Sequence, residues 1–274
     1  MPAVLLYGDP GTGKTHSLLS IPENGLSLFA LITEPNGLST FLSRLREISL
    51  PSGVEVQWRR QLPHYASVGD LQKLARELSI RGIDDMLKAP PARNAQLQAG
   101  TIAQQFLAHL SDFKCECCDK SWGPVDAFDH TRVFALDSLS GLNAIAFQTV
   151  VGINPVRTLP QWGAAIGFEE LVINTLLSSV PFVVVTAHTQ RTTNQVTGAL
   201  HIGPETLGQK YSDSIGKNFD EVIRAHRDGQ RFLWSTLESG AITKFRFLQP
   251  KSDLQPSFAP IVEKWKELSD ATRH

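Results

Sequence analysis

Cysteine, methionine and tyrosine are scarce in this sequence: its 274 residues hold three, two and three of them. The cysteines are also bunched, at Cys115, Cys117 and Cys118, which excludes a disulfide framework of the kind that staples small secreted domains. An excess of charge of one sign is missing too. With 26 basic and 27 acidic residues the formal net charge is −1, so no global positive field draws the chain to nucleic acid. Any such contact must come from a local patch, or from one repeated around an oligomer. No run is long and apolar enough to span a bilayer. The opening MPAVLLYGDPG lacks a basic n-region and a small-residue cleavage site. It reads as a first strand and not as a signal peptide, and the expected compartment is the cytoplasm. A hydrophobic share of 42% over this length is enough for a large core without external staples.

What is present is alternation. Residues 3–7, 26–32, 54–58, 131–136 and 181–187 are short apolar runs of β type, and helical patterns occupy 13–20, 68–110 and 169–179. Apolar runs buried on both faces and separated by helices predict a parallel central sheet flanked by helices, an α/β layer fold. The last third predicts a C-terminal antiparallel extension, with strands at 219–226, 230–236 and 242–248 turning at Asp228-Gly229 and Ser239-Gly240. A helix over 259–268 closes the chain. With no internal repeat and no low-complexity linker, residues 1–274 read as one domain with a helical, cysteine-containing insertion at about 80–130.

The strongest motif is GDPGTGKT: Gly8, Asp9, Pro10, Gly11, Thr12, Gly13, Lys14 and Thr15, with His16 next in line. It fits G-x-x-x-x-G-K-[ST], follows an apolar strand and opens a helix. Glycines let the backbone curl so that successive N–H groups face phosphates, and the helix adds its positive end. Lys14 would reach the β- and γ-phosphates and the Thr15 hydroxyl would ligate Mg²⁺. The spacing predicts that ATP and Mg²⁺ bind here.

Such a site needs a carboxylate on the metal side, and RVFALDS puts Asp137 where a strand emerges, beside Ser138. Hydrolysis also needs a group that positions water. Many AAA+ ATPases place a glutamate directly after the aspartate, but here that position is Ser138. Glu34, at the tip of the second apolar run in LFALITEPNG, is the candidate instead. His188 closes FVVVTAH at the same carboxyl end, where open parallel sheets bind ligands, and is placed to sense the γ-phosphate.

Together GDPGTGKT, Glu34, FALDS, VVVTAHTQR, Gly203-Pro204 and FDEVIRAHRDG resemble the RecA-type P-loop ATPase core. More narrowly, the set is similar to the phage-encoded AAA-domain nucleotide-binding proteins related to Sak-type recombination ATPases. The resemblance is specific at 8–15, 131–138 and 182–191, looser at 203–226, and absent from about 80 to 130. It implies a RecA-like fold and DNA-stimulated ATP hydrolysis by an oligomer, a ring or a filament. It also implies a role in phage recombination or replication, beside a single-strand annealing or binding protein. Glu34 then matches the catalytic glutamate and Asp137 the Walker B aspartate. His188 departs from the family, which usually has glutamine there.

Single-stranded DNA binding calls for cations and a stacking platform. The polar segment after His188 offers Arg191, Lys210 and Lys217, and the stretch 152–167 offers Arg157 and Trp162. Arg191, Lys210, Lys217, Lys244 and Arg246 are equally candidates for a cation donated to a neighbouring subunit's site. Cys115 and Cys118 have C-x-x-C spacing, and Cys117, His109 or His130 could complete a structural Zn²⁺ site. Two other functions fit the phosphate loop: a nucleotide-switched assembly or scaffold protein, and a P-loop kinase for a small molecule. A kinase would show an Arg-rich lid, and none stands out.

Overall fold

The apolar runs gather into one sheet. The computed structural model describes residues 2–64, 72, 76, 93–152, 158–193 and 198–271, with the backbone alone for 93–100. In chain order these hold β1 (Ala3–Gly8), α1 (Lys14–Leu18), α2 (Ser20–Glu23), β2 (Ser27–Ile32), α3 (Gly37–Leu45) and β3 (Val56–Arg60). Next come α4 (Arg93–Ser111), β4 (Arg132–Asp137), α5 (Leu139–Val151), α6 (Leu159–Ser179) and β5 (Val183–Ala187). The rest is β6 (Thr189–Thr193), β7 (Leu200–Pro204), α7 (Gln209–Ile215), β8 (Glu221–Asp228), β9 (Arg231–Ser235) and α8 (Ala259–Ala271). Seven strands form the central sheet in the order β3-β2-β4-β5-β1-β8-β9. Every neighbouring pair is parallel except β8 with β9.

Side chains alternate between the two faces of each strand, and both faces are buried. Leu5, Tyr7, Phe29, Leu31, Phe134 and Val185 pack with α4, α5 and α6 through Phe106, Leu142, Ile145 and Ile173. Leu6, Leu28, Ala30, Val133 and Val184 pack on the other face with Leu18, Phe41, Ile261 and Trp265 of α1, α3 and α8. The result is an α/β fold of three layers around a mostly parallel sheet. Among the described residues no helix is long and apolar enough to cross a membrane.

Several expectations need correction. The C-terminal extension is not a set of three antiparallel strands. β8 joins the main sheet parallel to β1, only β9 is antiparallel, and 242–248 forms no strand. β9 already occupies the outer edge of β8 from Arg224 to Asp228, leaving Val222 to pair with Lys244 in an isolated bridge. The helix read at 169–179 starts at Leu159, because Thr158 and Gln161 cap it reciprocally and Pro160 sits in its first turn. That capped start carries it through Gly163 and Gly167. Much of 68–92 lies outside the described residues. The described parts of the insertion are built into the main core, where Phe106, Phe113, Val125 and Phe128 surround Phe29 and Phe134.

Candidate functional site

Parallel pairing brings the strand ends level. Ile32 is opposite Asp137, Leu136 opposite Val185, and Tyr7 opposite Ala187. The residues that follow, the glycine-rich loop, Glu34, Ser138 and His188, therefore emerge at one edge of the sheet.

The loop turns at Gly11 and Gly13, whose φ values of 76° and 83° are left-handed and suited to glycine. Gly8 is fixed for another reason: a Cβ there would run into the Ala225 carbonyl oxygen of β8. Thr12 Oγ1 donates to the Asp9 carbonyl at 2.7 Å, closing the turn. Lys14 is 8% exposed and folds back onto its own loop, Nζ donating to the Gly8 carbonyl at 2.7 Å and the Asp9 carbonyl at 3.1 Å. Burial lowers its pKa from the ordinary lysine value, against the charges of Asp137, Glu34 and Asp9. The helix it opens spans Lys14–Leu18 and passes through Leu19, in right-handed helical geometry, into α2.

Asp137 is the centre. It is 4% exposed and accepts hydrogen bonds from Thr15 Oγ1 at 2.8 Å and from Thr186 Oγ1. Burial raises its pKa above the usual carboxylate range; the two hydroxyls and Lys14 oppose the rise, and the charge of Glu34 adds to it. The Asp137–Ser138 peptide is cis. Thr33 Oγ1 accepts from Ser138 N at 2.8 Å and donates to the Ser138 carbonyl at 2.7 Å, tying the end of β2 to the end of β4.

That tie sets Glu34 beside Asp137. Its Oε1 accepts from Ser138 Oγ and from His188 Nε2, the latter at 2.9 Å. Burial works against its ionisation, but the hydrogen bonds from His188 and Ser138, with the charges of His188 and Lys14, hold its pKa below the ordinary value. The same bond to Glu34 raises the pKa of His188, outweighing burial and the Lys14 charge. His188 is tied onward as well. Its N–H donates to Ser140 Oγ at 3.2 Å, Ser140 Oγ donates to Glu205 Oε2 at 2.9 Å, and Glu205 N donates to the His188 carbonyl at 2.8 Å. Glu205 directly follows β7, so this network joins the site to the β6–β7 hairpin.

Beside the loop opens a cleft of about 820 Å³, bordered by Gly11, Gly13, His16, Thr40, Phe232 and Gln255. Phe232 is 45% exposed, with the Arg227 guanidinium 5.1 Å from its ring. A flat ring attached to a group held in the loop would find an aromatic face there.

The other expected residues are dispersed. Arg191, on β6, pairs with Asp9 of the glycine-rich loop in its own chain. Lys210 and Lys217 are exposed on α7 and the turn after it. Arg246 pairs with Asp220, whose other oxygen accepts from Ala3 N, so it lies at the opposite end of β1. Lys244 Nζ is held by the Phe219 and Lys217 carbonyls. Arg157 lies outside the described residues. Trp162 is not on a loop: it sits in α6, edge-on to Phe147 with ring centroids 4.2 Å apart.

The three thiols converge. The sulfurs of Cys115, Cys117 and Cys118 all lie within 4.8 Å of one another, an arrangement that could hold a metal ion. His130 does not join them, because its ring packs 5.6 Å from that of Phe182. His109 is not part of that group either; burial lowers its pKa, the Arg59 charge adding to the fall and the Glu116 charge opposing it.

Sequence reasoning missed Thr186, Thr33 and Ser140. The signal for Thr186 was available, since a lone hydroxyl in the apolar run FVVVTA must find a partner once buried. Phe232 and the Asp9–Arg191 pair gave no local signal. No family model matches this chain, and no curated protein matches it.

Proposed function

We propose that this chain is a RecA-like P-loop ATPase that binds Mg-ATP at the glycine-rich loop and hydrolyses it. The observation that supports the reading best is the meeting of Lys14, Thr15–Asp137 and Glu34–His188 at one edge of a parallel sheet. β5 lies between β4 and β1 in the sheet, so the loop that follows β1 and the carboxylate at the end of β4 face each other across one strand. Lys14 is the cation for the β- and γ-phosphates, exchanging its two carbonyl partners for them. Thr15 Oγ1 and Asp137 are the donors for Mg²⁺, a hard ion suited to oxygen ligands, which when bound neutralises phosphate charge. Glu34, kept ionised by its neighbours, orients the attacking water, and His188 holds its carboxylate in place. Phe232 faces the base.

The wider reading follows the resemblance. The chain acts as a homo-oligomer on single-stranded DNA in recombination or replication, in a phage-infected cytoplasm and beside a single-strand annealing or binding protein. Arg191, Lys210 and Lys217 remain the cations for that contact, and Arg191, through Asp9, is the one linked to the loop. ATPase rate with and without single-stranded DNA tests the reading. Stimulation by DNA supports it, phosphate transfer to a metabolite would replace it with a kinase, and binding without turnover would leave a nucleotide-switched scaffold. Glu34→Gln should still bind ATP and lose turnover.

A further inference from the structure

The cysteine cluster sits in a short hairpin. Phe113 N donates to the Gly123 carbonyl at 2.8 Å, Trp122 N to the Phe113 carbonyl at 2.9 Å, and Cys115 N to the Lys120 carbonyl at 3.0 Å. Residues 115–120 make its tip. The turn is completed by Asp119, at φ 58° the one positive-φ residue other than glycine among the described residues, whose N–H donates to the Cys115 carbonyl at 3.0 Å. Inside this turn the Cys117 N–H points at Cys115 Sγ, 3.3 Å away. An amide aimed at a sulfur stabilises negative charge on it, the form in which a cysteine binds metal. Cys115 is buried while Cys117 and Cys118 are exposed.

The hairpin also lies along β3, the outer strand of the sheet. Glu116, between the cysteines, donates its N–H to the Trp58 carbonyl of β3 at 2.9 Å, and its carboxylate takes Arg60 N at 3.0 Å and Arg60 Nε at 2.8 Å. Cys118 Sγ lies 3.6 Å from Gln57 Oε1. Lys120 Nζ stands 3.5 Å over the Trp122 ring. An unpaired edge strand is a template for aggregation, and here the covering element is a turn of only six residues with no apolar core of its own.

We propose that Cys115, Cys117 and Cys118 bind one zinc ion through three thiolates, and that the ion locks this turn onto the edge of β3. Zinc is chosen by the donors: three sulfurs are soft ligands, and magnesium or calcium would need oxygen. Zn–S bonds of about 2.3 Å in tetrahedral geometry set the sulfurs about 3.8 Å apart, so binding requires Cys115 Sγ and Cys117 Sγ, 2.7 Å apart here, to separate. Water would complete the tetrahedral shell as the fourth ligand. On binding, each thiol gives its proton to solvent, and no electron moves.

The test uses the untagged full chain, purified under reducing conditions without added metal. The expected result is one equivalent of zinc, released when a thiol reagent modifies the cysteines. Replacement by Co²⁺ should give sulfur-to-cobalt charge transfer with tetrahedral d–d bands. Cys117→Ser and Cys118→Ser alter exposed thiols that the core does not need; each should weaken zinc binding by more than about tenfold. Lys14→Ala and His130→Ala should keep full metal content, which separates this site from the nucleotide reading and from the discarded histidine. A chain that stays metal-free with zinc supplied, its thiols reacting at rates that zinc does not alter, overturns the proposal. So does cobalt bound without sulfur charge transfer, or zinc lost on removing His130.

Discussion

Replacing Asp137 with asparagine should leave the fold as stable or more stable while removing magnesium-dependent turnover. The carboxylate is 4% exposed, its pKa is raised by burial, and it has two hydroxyl donors, Thr15 Oγ1 at 2.8 Å and Thr186 Oγ1. Taking an ionised carboxylate out of water costs several kcal/mol even after relaxation. Two hydrogen bonds to a charged acceptor return about 1.5–3 kcal/mol each, which leaves the ionised form near balance or slightly unfavourable. The sign follows from linkage. A carboxyl whose folded pKa exceeds its unfolded value contributes stability that is fully present below the unfolded pKa and is lost as pH rises through the raised folded one.

At neutral pH the native aspartate is therefore an electrostatic burden. Asparagine removes the charge and still bonds both threonines, since a hydroxyl can accept as well as donate. We expect a stability change between zero and a gain of about 2 kcal/mol at pH 7, or a rise in Tm of at most about 8 °C for a domain of this size. The gain should shrink toward acid pH, where the native group is itself neutral. Turnover should fall by on the order of a hundredfold or more, as when a group that handles transition-state charge is lost. Thermal melts from pH 5 to 8 and ATPase assays with varied magnesium measure both arms. A loss above about 2 kcal/mol that does not vary with pH would refute the electrostatic account. Undiminished turnover would remove Asp137 from the metal side of the site.

Three further expectations come from the same edge of the sheet. In Glu34→Gln the pKa of His188 should fall from above its ordinary value of 6.5 to below it, because burial and the Lys14 charge remain while the Glu34 bond that raises it is gone. NMR titration of the imidazole reads this, and an unchanged pKa would mean that the 2.9 Å pair does not form in solution. In the native chain the stabilisation from that pair is fully present below the unfolded histidine pKa and is lost as pH rises through the raised folded one, and Glu34→Gln should flatten that slope. Gly141→Ala should destabilise by about 1–3 kcal/mol in denaturant melts, because a Cβ there would lie 2.6 Å from the Thr33 carbonyl oxygen and wedge β2 from α5; a cost under about 0.5 kcal/mol would show that the contact is slack. Phe232→Ala should weaken ATP binding by about tenfold, the scale of one lost aromatic stack, without changing the affinity for inorganic triphosphate. Equal losses for both ligands would place the ring outside the base cleft.

The legible features were those encoded by local pattern. Buried parallel strands are apolar on both faces, so FVVVTA, RVFALD and AVLLYG announced a central sheet without any knowledge of order. GDPGTGKT specified its own turn, because positive φ at Gly11 and Gly13 is a property of glycine and not of its surroundings. Asp137, Glu34 and His188 were found from their places at strand ends.

What connects them was not legible. That Glu34 meets His188 rather than solvent depends on the order β2-β4-β5, and hydrogen bonding between strands is set by neighbours far away in sequence. The same is true of Thr186 reaching Asp137 across 49 positions. Trp162 moved from loop to helix because one capping pair outweighed two glycines. The three thiols were visible as letters, but only the hairpin could bring their sulfurs together and send His130 to Phe182. Local rules fix which residues can form an element or a turn; which side chains then share a site is decided by long-range packing, where burial and pairing energies outweigh anything a short window contains.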